Sequence, residues 1–361
     1  MKIALVRGDF IAPAELANFR PLLKKHEITV FTGKKPVWDM KREKDFKFVQ
    51  LPSPVDLNLG KINRLTMAAL NRTFTDAHVL FGLEKKLKGF DIAHCAETYY
   101  FYTQQCLTAK EKGYVKKVVS TVWENIPFNN ETISGRREFK KRALKEVDLF
   151  LPVTKRAKQV LIEEGCDPKK IVVLNPGVDT SLFHTVPKKH KNIKLLVVSR
   201  LVPEKGILEI VEIFNQLKKK YRSLELIIAG DGPLHPKGAT LLGKIDYYDM
   251  PKVYNSCDIM VHYPVGSATW SEQYGMALIE AIACGLPIVA LDQGSTKEIV
   301  GKGGLVVSKI NFPQTLEKVI SDSKYRHLLS QHALKFAKSD YDVNLYAQEL
   351  ARLYQFVMLT K

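Results

Sequence analysis

Short apolar, β-branched runs alternate with amphipathic stretches along the whole of this 361-residue chain, and that alternation constrains its fold more than any other feature. The candidate strands are residues 2–7, 27–33, 46–52, 91–96, 117–122, 149–154 and 171–175. A second series follows at 193–199, 224–229, 239–243, 257–263, 287–291 and 304–307. Between most of them lie helical patterns such as Ile207–Lys220 and Lys155–Glu164. Strands that alternate with helices build parallel, doubly wound α/β sheets covered on both faces. The chain is too long for one ordinary core and comfortable for two. With 45% hydrophobic and 26% charged residues, both halves can bury a core, and disorder is excluded by composition. The polar, proline-containing segment His184–Asn192 marks the boundary. The reading is residues 1–186 and 187–340 as two domains, with 341–361 as a terminal helix.

Five cysteines, none in a CxxC pair or at zinc-ligand spacing with a histidine, give neither a disulfide framework nor a structural metal site. A reducing cytoplasm is expected. The N-terminal strand is broken by Arg7 and Asp9, so no signal-peptide core is present, and no apolar run reaches the ~20 residues of a spanning helix. Residues 1–190 carry +13 of the +17 net charge. A basic face of that kind suits an anionic lipid surface, a phosphorylated acceptor or nucleic acid, or is simply a solvated surface.

The region most informative about chemistry is Asp258–Leu291. A strand ending near Tyr263 is followed by a loop, then by Gly275 and an apolar helix over 276–284. Gly285 and Pro287 stop that helix, and a further strand follows. The loop opens at the carboxyl end of a strand, where open α/β sheets bind ligands. The first-turn amides around Gly275, Met276 and Ala277, with the helix dipole, form an anion site. Glu280 is the only charged residue on that helix, so it needs either a structural cation or a ligand hydroxyl. Glu272, eight residues earlier on the loop, reaches the ligand from another side. Arg200 and Lys205 occupy the corresponding loop after strand 193–199, where two cations neutralise a diphosphate. A third such loop begins at Gly230. It lacks the GxGxxG pattern, so NAD or FAD is not expected.

The strings VSRLVPEKG, LIIAGDGPL, SEQYGMALIEAIACGLPIVAL and VLNPGVDTSLF, in this order and spacing, resemble glycosyltransferase family four, the group-one glycosyltransferases of the GT-B fold. The resemblance covers residues 150–308; the first 150 residues and the tail match in outline only. It implies two Rossmann-like domains with a cleft between them, and a last helix that crosses back to the first domain. It implies that Arg200 and Lys205 hold the diphosphate of a UDP-, GDP- or ADP-sugar. Glu280 then binds the ribose hydroxyls and Glu272 the transferred sugar. The implied reaction is retaining hexosyl transfer from the nucleotide-sugar to an acceptor hydroxyl, on a lipid-linked saccharide or envelope glycan, without cofactor or metal. Asp246 and Asp249 are one position too far apart for a DxD motif.

The sequence departs from the family twice. A single glycine, Gly8, stands where a glycine-rich loop is common, and Trp123 replaces a histidine near the donor sugar. Trp123 and Trp270 are read either as walls of a sugar pocket or as packing residues, and Glu124 as a hydroxyl partner or a helix cap. His94 and His262 are read as packed core histidines. Residues 135–147, with Arg136, Arg137, Lys140 and Lys141 beside a stripe of Phe139, Ala143 and Val147, read as a basic helix. It docks on an anionic membrane at the inner face of the cell, or packs its stripe on the first sheet. The competing functions are another GT-B enzyme, such as a sugar phosphorylase or nucleotide-sugar epimerase, and a basic RNA-associated protein. No aromatic-and-basic recognition module supports nucleic acid.

Overall fold

A computed structural model describes residues 1–56, 78–187 and 192–360. The chain divides into two compact units. One comprises Met1–Pro176 with Tyr346–Lys361, the other Gly177–Leu345.

The first unit holds strands β1 (Lys2–Val6), β2 (Glu27–Thr32), β3 (Lys47–Gln50), β4 (Phe90–Ala96), β5 (Val115–Val122) and β6 (Leu149–Pro152). They form one parallel sheet in the order β3-β2-β1-β4-β5-β6. Alternate side chains of β1 go to opposite faces, as a two-residue period requires. Ala4 and Val6 pack with Phe31, Cys95 and Cys106 on one face. Ile3 and Leu5 pack with Phe19, Leu350, Leu353 and Tyr354 on the other. Burial on both faces explains why these strands read as continuous apolar runs. The helix Val343–Leu359 supplies Leu350, Leu353, Tyr354 and Val357 to the second face. His94 is a core histidine: its Nδ1 lies 2.5 Å from the Tyr354 hydroxyl and its Nε2 2.8 Å from Thr121 Oγ1. Burial, with Arg7 adding to it, pushes its pKa down to about 3.

The second unit repeats the plan. Its strands are β7 (Lys194–Val198), β8 (Glu225–Ala229), β9 (Thr240–Gly243), β10 (Ile259–His262), β11 (Ile288–Leu291) and β12 (Gly304–Val307). They run parallel in the order β12-β11-β10-β7-β8-β9. In both sheets the chain builds outward from the first strand and then returns to its other side. The direction of winding therefore reverses between β1 and β4, and between β7 and β10. Ligands of open α/β sheets bind at such reversals, outside the carboxyl ends of the strands.

Two expectations need correction. Residues 171–175 are not a strand. Only Ile171 bridges to Phe150, and the amides of Val172 and Leu174 reach the carbonyls of Phe150 and Pro152 before Pro176 ends the pairing. The units also meet at Pro176–Gly177, ahead of the polar segment. The reason is packing: Val178 bridges to Asp342, and Phe183, fully buried, packs at a steep angle against the rings of Tyr247 and Tyr254 of the second unit. Residues 188–191 of the expected linker lie outside the described residues.

Candidate active site

The loops after β7 and β10 meet at the winding reversal of the second sheet. After β7, a 3-10 turn over Pro203–Lys205 ends in Gly206, whose φ of +64° is a left-handed conformation. A Cβ there would stand 2.0 Å from the Tyr263 carbonyl oxygen, so only glycine lets the two loops approach. The approach delivers Lys205 to Glu272. Their Nζ and Oε2 are 2.6 Å apart; the Glu272 side chain is buried and that of Lys205 mostly so. Lys205 also sits over the ring of Trp270, 4.5 Å from its centroid. His262, the last residue of β10, brings Nε2 to 3.2 Å from the same Glu272 oxygen. Burial opposes ionisation of Glu272, but His262 and Lys205 outweigh it and hold the carboxyl down at about 2.

The backbone of Glu272 is clamped as firmly as its carboxylate. Its amide donates to Gln293 Oε1 at 2.9 Å, and its carbonyl accepts from the Ser295 amide at 2.9 Å. A Cβ on Gly294 would meet the Glu272 carbonyl oxygen at 2.3 Å. The turn after β11 thus fixes the loop after β10. Gly275, at φ +78°, then starts the helix Met276–Ala283. A Cβ on Gly275 would lie 3.9 Å from Glu272 Cδ, so the carboxylate stands beside the helix start. The first-turn amides of that helix have no carbonyl of their own helix to bond and are available to an anion.

Glu280, one turn further on, is buried. Among the described residues, neither a lysine nor an arginine answers it. The hydroxyl of buried Tyr254 donates to its Oε2 at 2.7 Å. Burial pushes its pKa up to about 7, with the Tyr254 hydrogen bond pulling the other way. Arg200 is exposed on the β7 loop and meets no acidic partner among the described residues. Gly230 has a packing reason for being glycine: a Cβ would overlap the Ser199 carbonyl oxygen at 1.8 Å. Arg200, Lys205, Glu272, Trp270, Glu280, Gly275, Met276 and Ala277 thus all lie on the segments that follow β7 and β10, the central strands of one sheet. Sequence reasoning missed His262, Tyr254 and Gln293. Only the place of His262 at a strand's carboxyl end hinted at its role.

In the first unit, Trp123 follows β5 and is half-buried, its amide donating 2.8 Å to Glu97 Oε1. Glu124 is the cap of its own loop. Its Oε1 accepts from the amides of Asn125 and Ile126, and its Oε2 from the side chains of Asn129 and Asn130, all at 2.9–3.0 Å. With its lone pairs so occupied, the hydroxyl-partner reading of Glu124 gives way to the capping one. Gly8, at φ +56°, opens a 3-10 turn against the ring of Tyr102.

The basic helix Arg136–Glu146 is also corrected. Arg136 and Lys140 lie on its buried face with Ala143. Arg136 sits over the rings of Tyr99 and Tyr100. Lys140 pairs with Glu164 at 2.5 Å and with Glu131 at 3.6 Å. Only Arg137 and Lys141 of the four face solvent, because a helix turns 100° per residue and the stripe drags its i−3 and i−4 neighbours inward.

A pair of doubly wound sheets, one of them carrying a cation, a helix start and two buried carboxylates at its winding reversal, defines an α/β protein of two Rossmann-like units. The chain belongs to the group 1 glycosyltransferases and has the GT-B fold: residues 179–336 match the model for glycosyl transferases group 1 and residues 20–182 that for glycosyltransferase family 4. A Salmonella typhimurium glycosyltransferase named for colanic acid biosynthesis is 24% identical over 271 residues, 69% of this chain and 66% of that one. A probable sucrose-phosphate synthase of Thermosipho melanesiensis is 28% identical over 212 residues, 52% of this chain and 49% of that one. The matched stretch therefore spans less than two thirds of either relative. Among solved structures, Anabaena HepE in complex with UDP-glucose superposes with a TM-score of 0.75 at 16% identity, over 99% of this chain and 100% of that one. At that identity the likeness is one of fold.

Proposed function

We propose that the chain is a retaining, metal-independent hexosyltransferase that uses a nucleoside-diphosphate sugar and an acceptor hydroxyl. The observation that carries this reading is the buried cluster of Lys205, His262 and Glu272 beside the start of the helix after Gly275. The cluster presents one cation, one carboxylate and a set of free amides within a single wall. A sugar diphosphate needs such a wall: amides and cations for its phosphates, a carboxylate for its sugar hydroxyls.

In this reading the bond from the sugar's anomeric carbon to the diphosphate oxygen breaks and a bond to the acceptor oxygen forms on the same face. The acceptor proton passes to the departing phosphate. Arg200, Lys205 and the first-turn amides stabilise the charge that grows on the leaving group. Lys205 is largely withdrawn from solvent, so its charge is less screened than that of a surface lysine. Glu272 holds the sugar, and Glu280 accepts from the ribose hydroxyls. The nucleotide-sugar complex of the HepE fold neighbour supports the donor class. Among the described residues no helix is long and apolar enough to cross a membrane. Work on the cytoplasmic membrane face, on a lipid-linked or envelope saccharide, is part of the proposal.

Melting shifts with UDP-, GDP- and ADP-sugars test it. A true donor at 100 times its dissociation constant raises stability by about 2.7 kcal/mol. Transfer should survive EDTA, because side-chain cations and amides answer the phosphate charge. No shift with any nucleotide-sugar sinks the donor assignment. Product formed only with free inorganic phosphate, or without an acceptor, points to the phosphorylase or epimerase reading.

A further inference from the structure

The string VLNPGVDTSLF carries the chain into the second unit, and its second half is built to a fixed shape. Asp179 Oδ1 accepts from the Ser181 amide at 3.0 Å, the Ser181 hydroxyl at 2.6 Å and the Leu182 amide at 3.2 Å. The Asp179 carbonyl accepts from the Phe183 amide at 2.8 Å. An aspartate that closes a turn on the amides following it fixes where the end of that turn points. Here the turn sets Phe183 against two tyrosines, its ring centroid 5.2 Å from that of Tyr247 and 6.0 Å from that of Tyr254.

Tyr254 lies on the short helix Met250–Asn255, which packs on the helix Met276–Ala283. Like Phe183, it has none of its surface exposed. A ring packed on every side has little freedom to turn, so its hydroxyl has one direction, and that direction is Glu280. The bond goes to Oε2. Glu280 Oε1 accepts no hydrogen bond among the described residues and is not closed off from solvent. The carboxylate is thus divided: the protein holds one oxygen and leaves the other for a ligand.

The same bond governs the charge of Glu280. The other elements packed on its helix are β11 and the helices Thr296–Val300 and Ser323–Asp340. They bring no charged group that moves Glu280; burial raises its pKa and Tyr254 alone opposes the rise. Burial, then Glu280 itself and the Cys284 thiol, holds the Tyr254 hydroxyl far above its ordinary pKa, so it remains a donor across the neutral range. A hydrogen bond to the charged form favours that form.

We propose that Tyr254, braced by Phe183, is the positioning residue of Glu280: it takes Oε2, leaves Oε1 as the oxygen offered to the donor, and keeps the carboxylate ionisable. The role in donor binding rests on the reading of Glu280 as the ribose partner, so the test is run without donor and with it. Without donor, the melting-temperature gain of Glu280→Gln over its parent is followed from pH 4.5 to 9 in the wild type, in Tyr254→Phe and in Phe183→Leu. In the wild type that gain should stop growing near pH 7, where Glu280 titrates. In Tyr254→Phe it should keep growing for about one further pH unit, the tenfold in proton affinity that one lost hydrogen bond to a charged group represents. Phe183→Leu should move the limit the same way by less. Tyr254→Phe removes a single oxygen, so it carries the test even if Phe183→Leu fails to fold. With donor, calorimetry at pH 7 uses UDP-, GDP- and ADP-glucose. Tyr254→Phe should bind about fivefold more weakly from its smaller ionised fraction alone, and the gap should narrow as pH rises. In the Glu280→Gln background the same change should add less than about twofold, because its route to the donor is gone. The proposal is overturned if the limit stays at the same pH in Tyr254→Phe, or if Tyr254→Phe weakens binding as much with Glu280→Gln in place as without it. A donor bound equally by the wild type and Glu280→Gln, or no nucleotide-sugar bound by either, removes the ribose reading; the donor-free melts then decide the role of Tyr254 by themselves.

Discussion

Glu272 and Lys205 are each other's answer to burial, and a change to either acts on stability as well as on transfer. Lys205→Ala leaves the buried carboxylate without its lysine and should cost about 3–5 kcal/mol of stability, as breaking buried pairs does. It should also slow transfer about 100- to 1,000-fold through loss of a charge aimed at the leaving diphosphate. Adding Glu272→Gln to Lys205→Ala should restore much of the stability and none of the turnover. Denaturant melts beside single-turnover rates separate the two effects. If the double variant is no more stable than Lys205→Ala, the ion pair is not what holds the loop. The two glutamates also give opposite pH signatures. Glu272 has a depressed folded pKa of about 2, so its stabilisation is complete above pH 4.5 and is lost as pH falls toward 2. Glu280 has a raised folded pKa of about 7, so the fold favours its neutral form, and its cost grows as pH rises from 4.5 to 7. Glu280→Gln should therefore gain on the wild type in melting temperature as pH rises across that window. In the wild type, ribose hydroxyls donating to Glu280 favour the ionised form, so donor binding near pH 6.5 should release protons. Calorimetry in two buffers of different ionisation enthalpy reads this directly; an identical heat in both removes the ribose role.

At the scale of the element, the site depends on two loops approaching closely enough for an ion pair to form. Gly206 is the point of contact. A methyl group there adds a left-handed strain of roughly 1–2 kcal/mol and a clash with the Tyr263 backbone that cannot rotate away. Gly206→Ala should lose about 2–4 kcal/mol in urea melts, since overpacking itself typically costs 1–3. It should also weaken donor binding by moving Lys205 from Glu272. Unchanged stability would mean the loops separate freely, and the clamp is then not structural. This level also marks what the sequence could carry. The strands and the helix after Gly275 were legible because apolar periodicity and a glycine before and after a helix are local signals. Lys205 and Glu272 were legible as site residues for the same reason, each being placed at a strand's carboxyl end. Their pairing was not, since it depends on strands β7 and β10 being neighbours, and 67 residues separate the two partners. His262 was read only as a packed core histidine, because a strand-end residue shows its partner only once its neighbour across the sheet is known. Residues 171–175 misled in the opposite way, having the composition of a strand and a proline that stops its ladder.

At the scale of the whole molecule, the uneven charge and the expected membrane contact must be placed on the surface as it is. Reversing Arg136 and Lys140 would test the wrong face, because both are buried, Lys140 paired with Glu164 and Arg136 set over the Tyr99 and Tyr100 rings. The exposed charge of the first unit gathers elsewhere. An open groove of about 620 Å³ is lined by Lys110, Lys117, Lys145, Lys169 and Lys170 against Glu111, Glu146 and Asp148, with half-exposed Phe356 at its edge. Lys110 and Lys117 are tied to Asp148, at 2.6 and 3.5 Å. Lys145 and Lys169 are exposed and face no acidic partner among the described residues. A basic groove with an aromatic on its rim fits an anionic lipid surface, where each unpaired lysine contributes up to about 1 kcal/mol and the ring adds apolar contact. The proposed cytoplasmic membrane work therefore uses this face of the first unit. Vesicles containing phosphatidylglycerol should sediment with the wild type at low salt and release it as salt rises, since screening shortens to about 3 Å at 1 M. Lys145→Glu with Lys169→Glu moves four units of charge and should reduce retention by at least tenfold, while Phe356→Ala reduces it less and leaves the salt dependence in place. Both sites are exposed, so melting should not change. A wild type that ignores anionic vesicles at low salt ends the membrane proposal and makes a soluble acceptor the better reading.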